Sequence, residues 1–303
     1  MPEYVCRRAA PELRGLVSGY SGYRWSGEPG LHHGLPSTHL TLVVCLSGTL
    51  DFVGRRPASF VSVAGGLHDG PVVMSHQGLQ YGLQLDLTWR GARALLGVPA
   101  GELAGDVVGL PELLGDRADE LVERLAAAPT WRHRFRLLDA TLSGLAGLAG
   151  LAGLAGLAGL AGLAGLAGLA DDGRGEPPAE VAQAWRRLTE TAGSLRIGAL
   201  AREVGWSRRH LTSRFQREIG LSPKAAARVI RFERARRLLR SRSRPSLAET
   251  AAECGYVDQA HLARDFRALG DLTATQWLAE FPSVQDVDAA LGDDGPHDAA
   301  HQH

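Results

Sequence analysis

Between Leu40 and Leu87, apolar and polar residues alternate in short runs: Leu40-Thr41-Leu42-Val43-Val44, Leu50-Asp51-Phe52-Val53, Phe60-Val61-Ser62-Val63, Pro71-Val72-Val73-Met74 and Tyr81-Gly82-Leu83-Gln84-Leu85-Asp86-Leu87. Gly48, Gly54, Gly65-Gly66 and Gly78 punctuate them. A period of two sends successive side chains to opposite faces of a strand, and short strands at even spacing predict a small sandwich or barrel. After Trp89 the period lengthens to that of a helix, over Ala92 to Leu96, Leu110 to Leu114, Arg117 to Ala127 and Trp131 to Leu142. The N-terminal half is therefore expected to be an α+β unit.

The C-terminal third carries helical periods only. Ile197, Leu200, Ala201 and Val204 mark one short helix; Gly205 ends it, Ser207 can cap the next, and Leu211, Phe215 and Ile219 are that helix's apolar positions. A small residue four before the turn glycine lets two helices cross closely, and Ala201 with Gly205 meets this requirement of a helix-turn-helix. Fifty residues on, Ala251, Gly255 and Asp258 repeat the arrangement, with Leu247 before them and Leu262, Phe266 and Leu269 after. Between the copies Pro223 opens a long helix, Lys224 to Arg240, whose apolar stripe (Val229, Ile230, Phe232, Ala235, Leu238, Leu239) is surrounded by Arg228, Arg231, Arg234, Arg236, Arg237 and Arg240. Those arginines are expected to lie along a phosphate backbone.

Residues 144–170 are nine successive Gly-Leu-Ala triplets. Without proline nothing pre-sets a collagen-like backbone, so a triple helix is not expected. As an α-helix the tract shows leucine on every face, long enough for a membrane span. Against a span with a cytosolic C-terminal half stands the flanking charge: Arg124, Arg132, Arg134 and Arg136 precede the tract, whereas Arg174, Arg186 and Arg187 follow it. The reading adopted is an extension of the last helix of the N-terminal unit followed by a linker, with Asp171 to Pro178 as the interdomain break.

Composition sharpens this picture through its distribution. The 303 residues are 45% hydrophobic and 22% charged, which excludes a disordered chain and suffices for one large or two modest cores. Lys plus Arg (33) cancels Asp plus Glu (33), yet residues 197–244 hold 14 basic and 3 acidic side chains while residues 245–280 hold 2 and 6. Phosphate attraction is expected to concentrate on the first helix-turn-helix. Cys6, Cys45 and Cys254 are scattered and odd in number, which suits a reducing cytosol, and the start lacks an apolar run of signal-peptide length.

Gly205-Trp206-Ser207-Arg208-Arg209-His210-Leu211 through Phe215, Gly220-Leu221-Ser222-Pro223, and Ala252-Glu253-Cys254-Gly255-Tyr256-Val257-Asp258-Gln259-Ala260-His261-Leu262-Ala263-Arg264-Asp265-Phe266 together resemble the double helix-turn-helix domain of AraC/XylS-type transcription regulators. The resemblance covers about 100 residues. It implies two recognition helices entering successive major-groove segments on one DNA face. Carried over by position, Arg209, Thr212 and Ser213 of the first helix and Gln259, His261 and Arg264 of the second would face bases, while Arg208, Arg214 and Arg217 would meet phosphates. The chemistry agrees, since Arg can bridge guanine O6 and N7 and Gln can pair with adenine. The second copy departs from the family in ending Gly270-Asp271-Leu272-Thr273-Ala274 and in being net acidic, so the first unit is expected to dominate affinity.

More broadly, the N-terminal half resembles the cupin-like domains attached to some regulators of this family, which bind an effector or pair subunits. A catalytic cupin needs a metal; His32, His33, His39, His68 and His76 are present, but no His-x-His followed by a nearby Glu anchors one, so no metal or other cofactor is expected. Nucleophile-elbow, Walker and Rossmann motifs are absent, and no enzymatic activity is expected. The fold class is thus α+β: a cupin-like β-sandwich or barrel with following helices, plus an all-α domain with two helix-turn-helix units. The expected division is a sensor or dimerisation domain over residues 1–143, repeat and linker over 144–178, a DNA-binding domain over 179–282 and a disordered tail over 283–303. The expected function is a cytoplasmic, effector-responsive transcription regulator, an activator by family resemblance. Its partners would be promoter DNA, an unknown small molecule, RNA polymerase and a second copy of the chain, with no membrane. A metal-dependent cupin enzyme with a DNA-binding appendage and a membrane-tethered regulator are the alternatives.

Overall fold

The computed structural model describes residues 3–54, 57–160, 177–241, 243 and 245–279. Ten strands form two antiparallel sheets among these residues. The larger, in the order β1-β2-β9-β4-β7-β10, contains β1 (Glu3–Arg7), β2 (Val17–Ser26), β4 (Leu40–Ser47), β7 (Ser62–Gly65), β9 (Leu79–Leu87) and β10 (Val107–Gly109). The smaller, ordered β3-β8-β5-β6, contains β3 (Gly30–Gly34), β5 (Leu50–Val53), β6 (Ala58–Phe60) and β8 (Val72–His76).

The alternation within β4 and β9 explains how the layers form. Leu40, Leu42 and Val44, with Leu83, Leu85 and Leu87 beside them, are buried in one cluster with the helices, while Thr41, Val43 and Gln84, one step out of phase, turn toward the smaller sheet. The run from Phe60 to Val63, expected as one strand, is two: β6 ends in the smaller sheet at Phe60 and β7 begins in the larger at Ser62, so the chain changes layer at Val61. Helical turns follow at α1 (Trp89–Gly91), Ala92–Leu96 and Ala100–Leu103, then α2 (Leu110–Leu114), α3 (Asp116–Ala127) and α4 (Trp131–Leu160). Asp139 fastens α4 to the sheet: it accepts hydrogen bonds from the Tyr20 hydroxyl (2.9 Å) and the Ala10 N–H (3.0 Å) and pairs with Arg7 at 2.8 Å. Tyr20 also stacks on Phe135.

Because α4 runs without a break from Trp131 into the triplet tract as far as Leu160, the first part of that tract extends the last N-terminal helix as expected. The linker beyond it and the tail at 283–303 lie outside the described residues. Among the described residues no helix is long and apolar enough to cross a membrane.

The C-terminal region holds α5 (Ala179–Glu190), α6 (Ile197–Glu203), α7 (Arg208–Ile219), α8 (Pro223–Arg240), α9 (Leu247–Glu253), α10 (Gln259–Gly270) and α11 (Ala274–Ala279). It packs directly on the sheet-bearing half. Gly101 approaches the C-terminal end of α7 so closely that a Cβ there would sit 1.9 Å from the Arg217 carbonyl oxygen. Beside it Arg93 and the buried Glu218 form an ion pair at 2.6 Å. A second joint lies under α8, where Glu233 accepts the Thr38 N–H at 2.9 Å, Arg236 donates to the Pro36 carbonyl at 3.2 Å and Leu35 enters the core of the second helix-turn-helix.

Candidate nucleic-acid interface

Each helix-turn-helix is built by the same local chemistry. Gly205 and Gly255 take left-handed conformations, φ +74° and +73°, a region open to glycine at little cost. Ser207 then caps α7 by accepting the His210 N–H (3.2 Å), and Asp258 caps α10 by accepting the His261 N–H (2.6 Å). The aromatic after each glycine packs inward, and the histidine at the third position of each recognition helix sets its ring edge-on against it: Trp206 with His210 at 4.6 Å, Tyr256 with His261 at 5.1 Å. The second turn is one residue longer, and Val257 stands there 87% exposed.

On α7 the burial of Leu211, Phe215 and Ile219 turns the opposite face outward. Arg208, Arg209, Thr212, Ser213 and Gln216 line one shallow depression there, bringing together all three expected base-contacting residues of the first unit with one expected phosphate contact. Gln216 was missed; four residues after Thr212, it falls on the same face by helical period alone. The Thr212 hydroxyl donates to the Arg208 carbonyl at 2.8 Å, which leaves its oxygen lone pairs directed outward for use as an acceptor. Arg217 is exposed, while Arg214 is half-buried and stands aside from the depression.

On α10, Gln259 and Arg264 are both exposed, five positions apart along the helix. His261 is half-buried, held by Tyr256 and with its Nδ1 3.4 Å from the Val257 N–H, so its ring orders the turn.

Several arginines of α8, expected to lie along phosphate, have partners within the protein. Arg228 pairs with Asp265 at 2.8 Å, Arg234 with Glu253 at 3.6 Å and Arg237 with Glu233 at 3.5 Å. Arg231 and Arg240 lie over the rings of Tyr256 and Trp277, and Arg236 is buried. Two of these arginines, Arg228 and Arg234, meet carboxylates of the second unit, Arg237 pairs with Glu233 of α8 itself and stays exposed, and Arg236 is buried. Of that unit's carboxylates, Asp265 and Glu253 are thereby paired within the domain.

A second concave feature lies between the sheets, a cavity of about 280 Å³. Val43, Val63, Val72 and Met74 supply apolar walls, Tyr23, Thr41 and Gln84 the polar groups, and Gly105, Asp106 and Val107 part of the rim. His32, His68 and His76 also line it, but among the described residues no three His, Cys, Asp or Glu side chains gather as a metal would need. Burial lowers the His68 pKa, and its Nδ1 lies against the Gly70 carbonyl. Burial, with Asp51 nearby, pushes the Cys45 thiol up to about 11.

Comparison with known proteins bears on both halves. Residues 200–280 match the family described as "Helix-turn-helix domain". An uncharacterized HTH-type transcriptional regulator, YbfI of Bacillus subtilis, is 32% identical over 88 residues, 29% of this chain; the match spans 31% of that relative's length. Among solved structures, ToxT from Vibrio cholerae superimposes with a TM-score of 0.52 over 86% of this chain and 98% of its own, at 9% identity. The unsaturated fatty acid bound form of wild-type ToxT gives 0.50 over 90% and 96%, again at 9% identity. That likeness shows a shared fold: two antiparallel sheets followed by a helical C-terminal region.

Proposed function

We propose that the C-terminal region, whose residues 200–280 match a helix-turn-helix domain, is of the AraC type and that this chain is a sequence-specific DNA-binding transcription regulator whose N-terminal unit senses a small molecule. The observation that carries the reading is the outward face of α7, where two arginines, two hydroxyls and an amide share one exposed surface on a helix already capped and packed from behind. In the proposed roles Arg209, Thr212 and Ser213 contact bases in one major-groove segment, and Gln259 and Arg264 do so in the next. Arg208 and Arg217 hold phosphates. Gln216 joins the base-contacting set, and His261 acts by fixing the turn that presents α10.

The cavity between the sheets is the place for the effector, and ToxT, of the same fold, has been crystallised with an unsaturated fatty acid. Effector binding changes DNA binding only if it favours one arrangement of the two halves. The joints at Gly101 and Glu233 are where such a preference would act. Residues 1–143 as sensor, 144–178 as repeat and linker and 179–282 as the DNA-binding domain complete the reading, with the cytoplasm as its compartment, transcription activation through RNA polymerase as its output and a homodimer as its assembly.

The test is binding of the full-length protein to fragmented DNA of its own source at near-physiological salt, beside the Arg208→Ala/Arg209→Ala double variant. Recovery of fragments sharing a motif, lost in the variant, is the expected result. Salt-sensitive binding with no motif would leave only a basic domain and refute the reading.

A further inference from the structure

The cavity between the sheets carries a chemical signature of its own. About 280 Å³ is roughly twice the ~150 Å³ of an apolar protein cavity that takes benzene, so it suits a one- or two-ring molecule or a chain of similar bulk. Among the described residues none of the lining side chains is Lys or Arg. The acidic ones are Asp51 and Asp106; Asp106 is exposed, and Asp51 is half-exposed and engaged by the Thr49 hydroxyl at 2.9 Å. Any field they contribute at the mouth is negative.

Deeper in, the polar groups are neutral hydrogen-bonding ones. The Gln84 side chain donates its amide to Asp86 at 3.0 Å, which orients it and leaves its carbonyl as an acceptor. Tyr23 is 6% exposed, and burial raises its pKa, as it does that of Cys45, while burial lowers that of His68; each is thereby held in its uncharged form near neutrality. An anion entering here would lose its hydration and find no Lys or Arg on the lining, with only the imidazoles of His32 and His76 and neutral donors to meet it, a transfer opposed by much of the cost of desolvation. An uncharged molecule loses little and can hydrogen-bond to Tyr23, Thr41 or Gln84.

We infer that the cavity binds an uncharged, largely apolar small molecule bearing a hydroxyl or similar hydrogen-bonding group, and that it discriminates against carboxylates and phosphates. The inference rests on the sensor reading for its biological meaning and on the lining alone for its chemistry. It also sets this chain apart from the fatty acid bound ToxT, whose ligand is an acid.

The experiment uses the full-length chain and a panel of one- and two-ring scaffolds, each supplied as the alcohol, the carboxylate and the methylammonium, with binding followed calorimetrically near neutral pH. Alcohols are expected to bind saturably, at least about tenfold tighter than carboxylates of the same scaffold, and to lose that binding in Val43→Trp, which fills the cavity. Val107→Trp, at the rim, serves the same purpose should the first variant not fold. Carboxylates or ammonium ions binding as tightly as the alcohols, or no alcohol binding saturably, would overturn the inference. Motif-specific DNA binding by the same preparation without any probe tests the regulator reading separately, so the two can fail independently.

Discussion

The ion pair between Arg93 and Glu218 offers a quantitative test of how the two halves meet. Glu218 sits on α7 with its side chain 9% exposed, and Arg93, from the helical turn after β9, reaches it at 2.6 Å with 16% exposure. Arg93→Met would leave a carboxylate buried without its cation, a change that costs about 3–5 kcal/mol where such pairs are enclosed. Arg93→Met/Glu218→Met removes both charges and should recover most of that loss, so a double-mutant cycle should give a coupling of at least ~2 kcal/mol. Urea unfolding of the full chain, followed by far-ultraviolet circular dichroism, measures all four proteins. A pair lying open to solvent would be worth only about 0–1 kcal/mol. If Arg93→Met costs less than ~1 kcal/mol with coupling near zero, the joint between sensor and recognition helix is not closed in solution, and the place assigned here to interdomain coupling is wrong.

Further outcomes follow from single residues. Gly205→Ala meets open space but must hold φ +74°, so it should cost roughly 1 kcal/mol in unfolding free energy through backbone strain alone. Arg209→Ala should weaken binding to the preferred operator by about 1–3 kcal/mol and relax base preference at one position, whereas Arg208→Ala should weaken all sequences alike and reduce the salt slope. Glu233 has its pKa raised by burial but lowered by more through His39, Arg236 and the Thr38 hydrogen bonds, so its net shift is downward. A carboxylate lowered on folding stabilises above its unfolded value of 4.5 and loses that contribution as pH falls through the folded one. The acid-induced fall in stability should therefore be shallower in Glu233→Gln, as denaturation across pH 3–6 would record.

How far the sequence could be read varied with the physics of each element. Strands buried on one face, such as β4, announced themselves by alternation, and both helix-turn-helix units were legible because a left-handed glycine, a cap and a small crossing residue are local requirements. β2 was not foreseen: its ten residues include two glycines and three serines, and only its central place between β1 and β9 makes them a strand. β10 is three residues long and owes its existence to β7. The face of α7 followed from helical period, yet the fate of the α8 arginines did not. Whether Arg228 faces phosphate or Asp265 depends on how α10 crosses α8, a tertiary fact with no local signature. The joints at Gly101 and Glu233 were hidden for the same reason, since they link residues more than a hundred positions apart.

The central claim is that two recognition helices read DNA sequence together. Selection of bound duplexes from a random-sequence pool by the full-length protein, beside Gln259→Ala/Arg264→Ala, tests it most directly. The account predicts two conserved half-sites about one helical turn apart, with the second fading to random in the variant while the first persists. A single half-site in both proteins, or no enriched sequence at all, would contradict it.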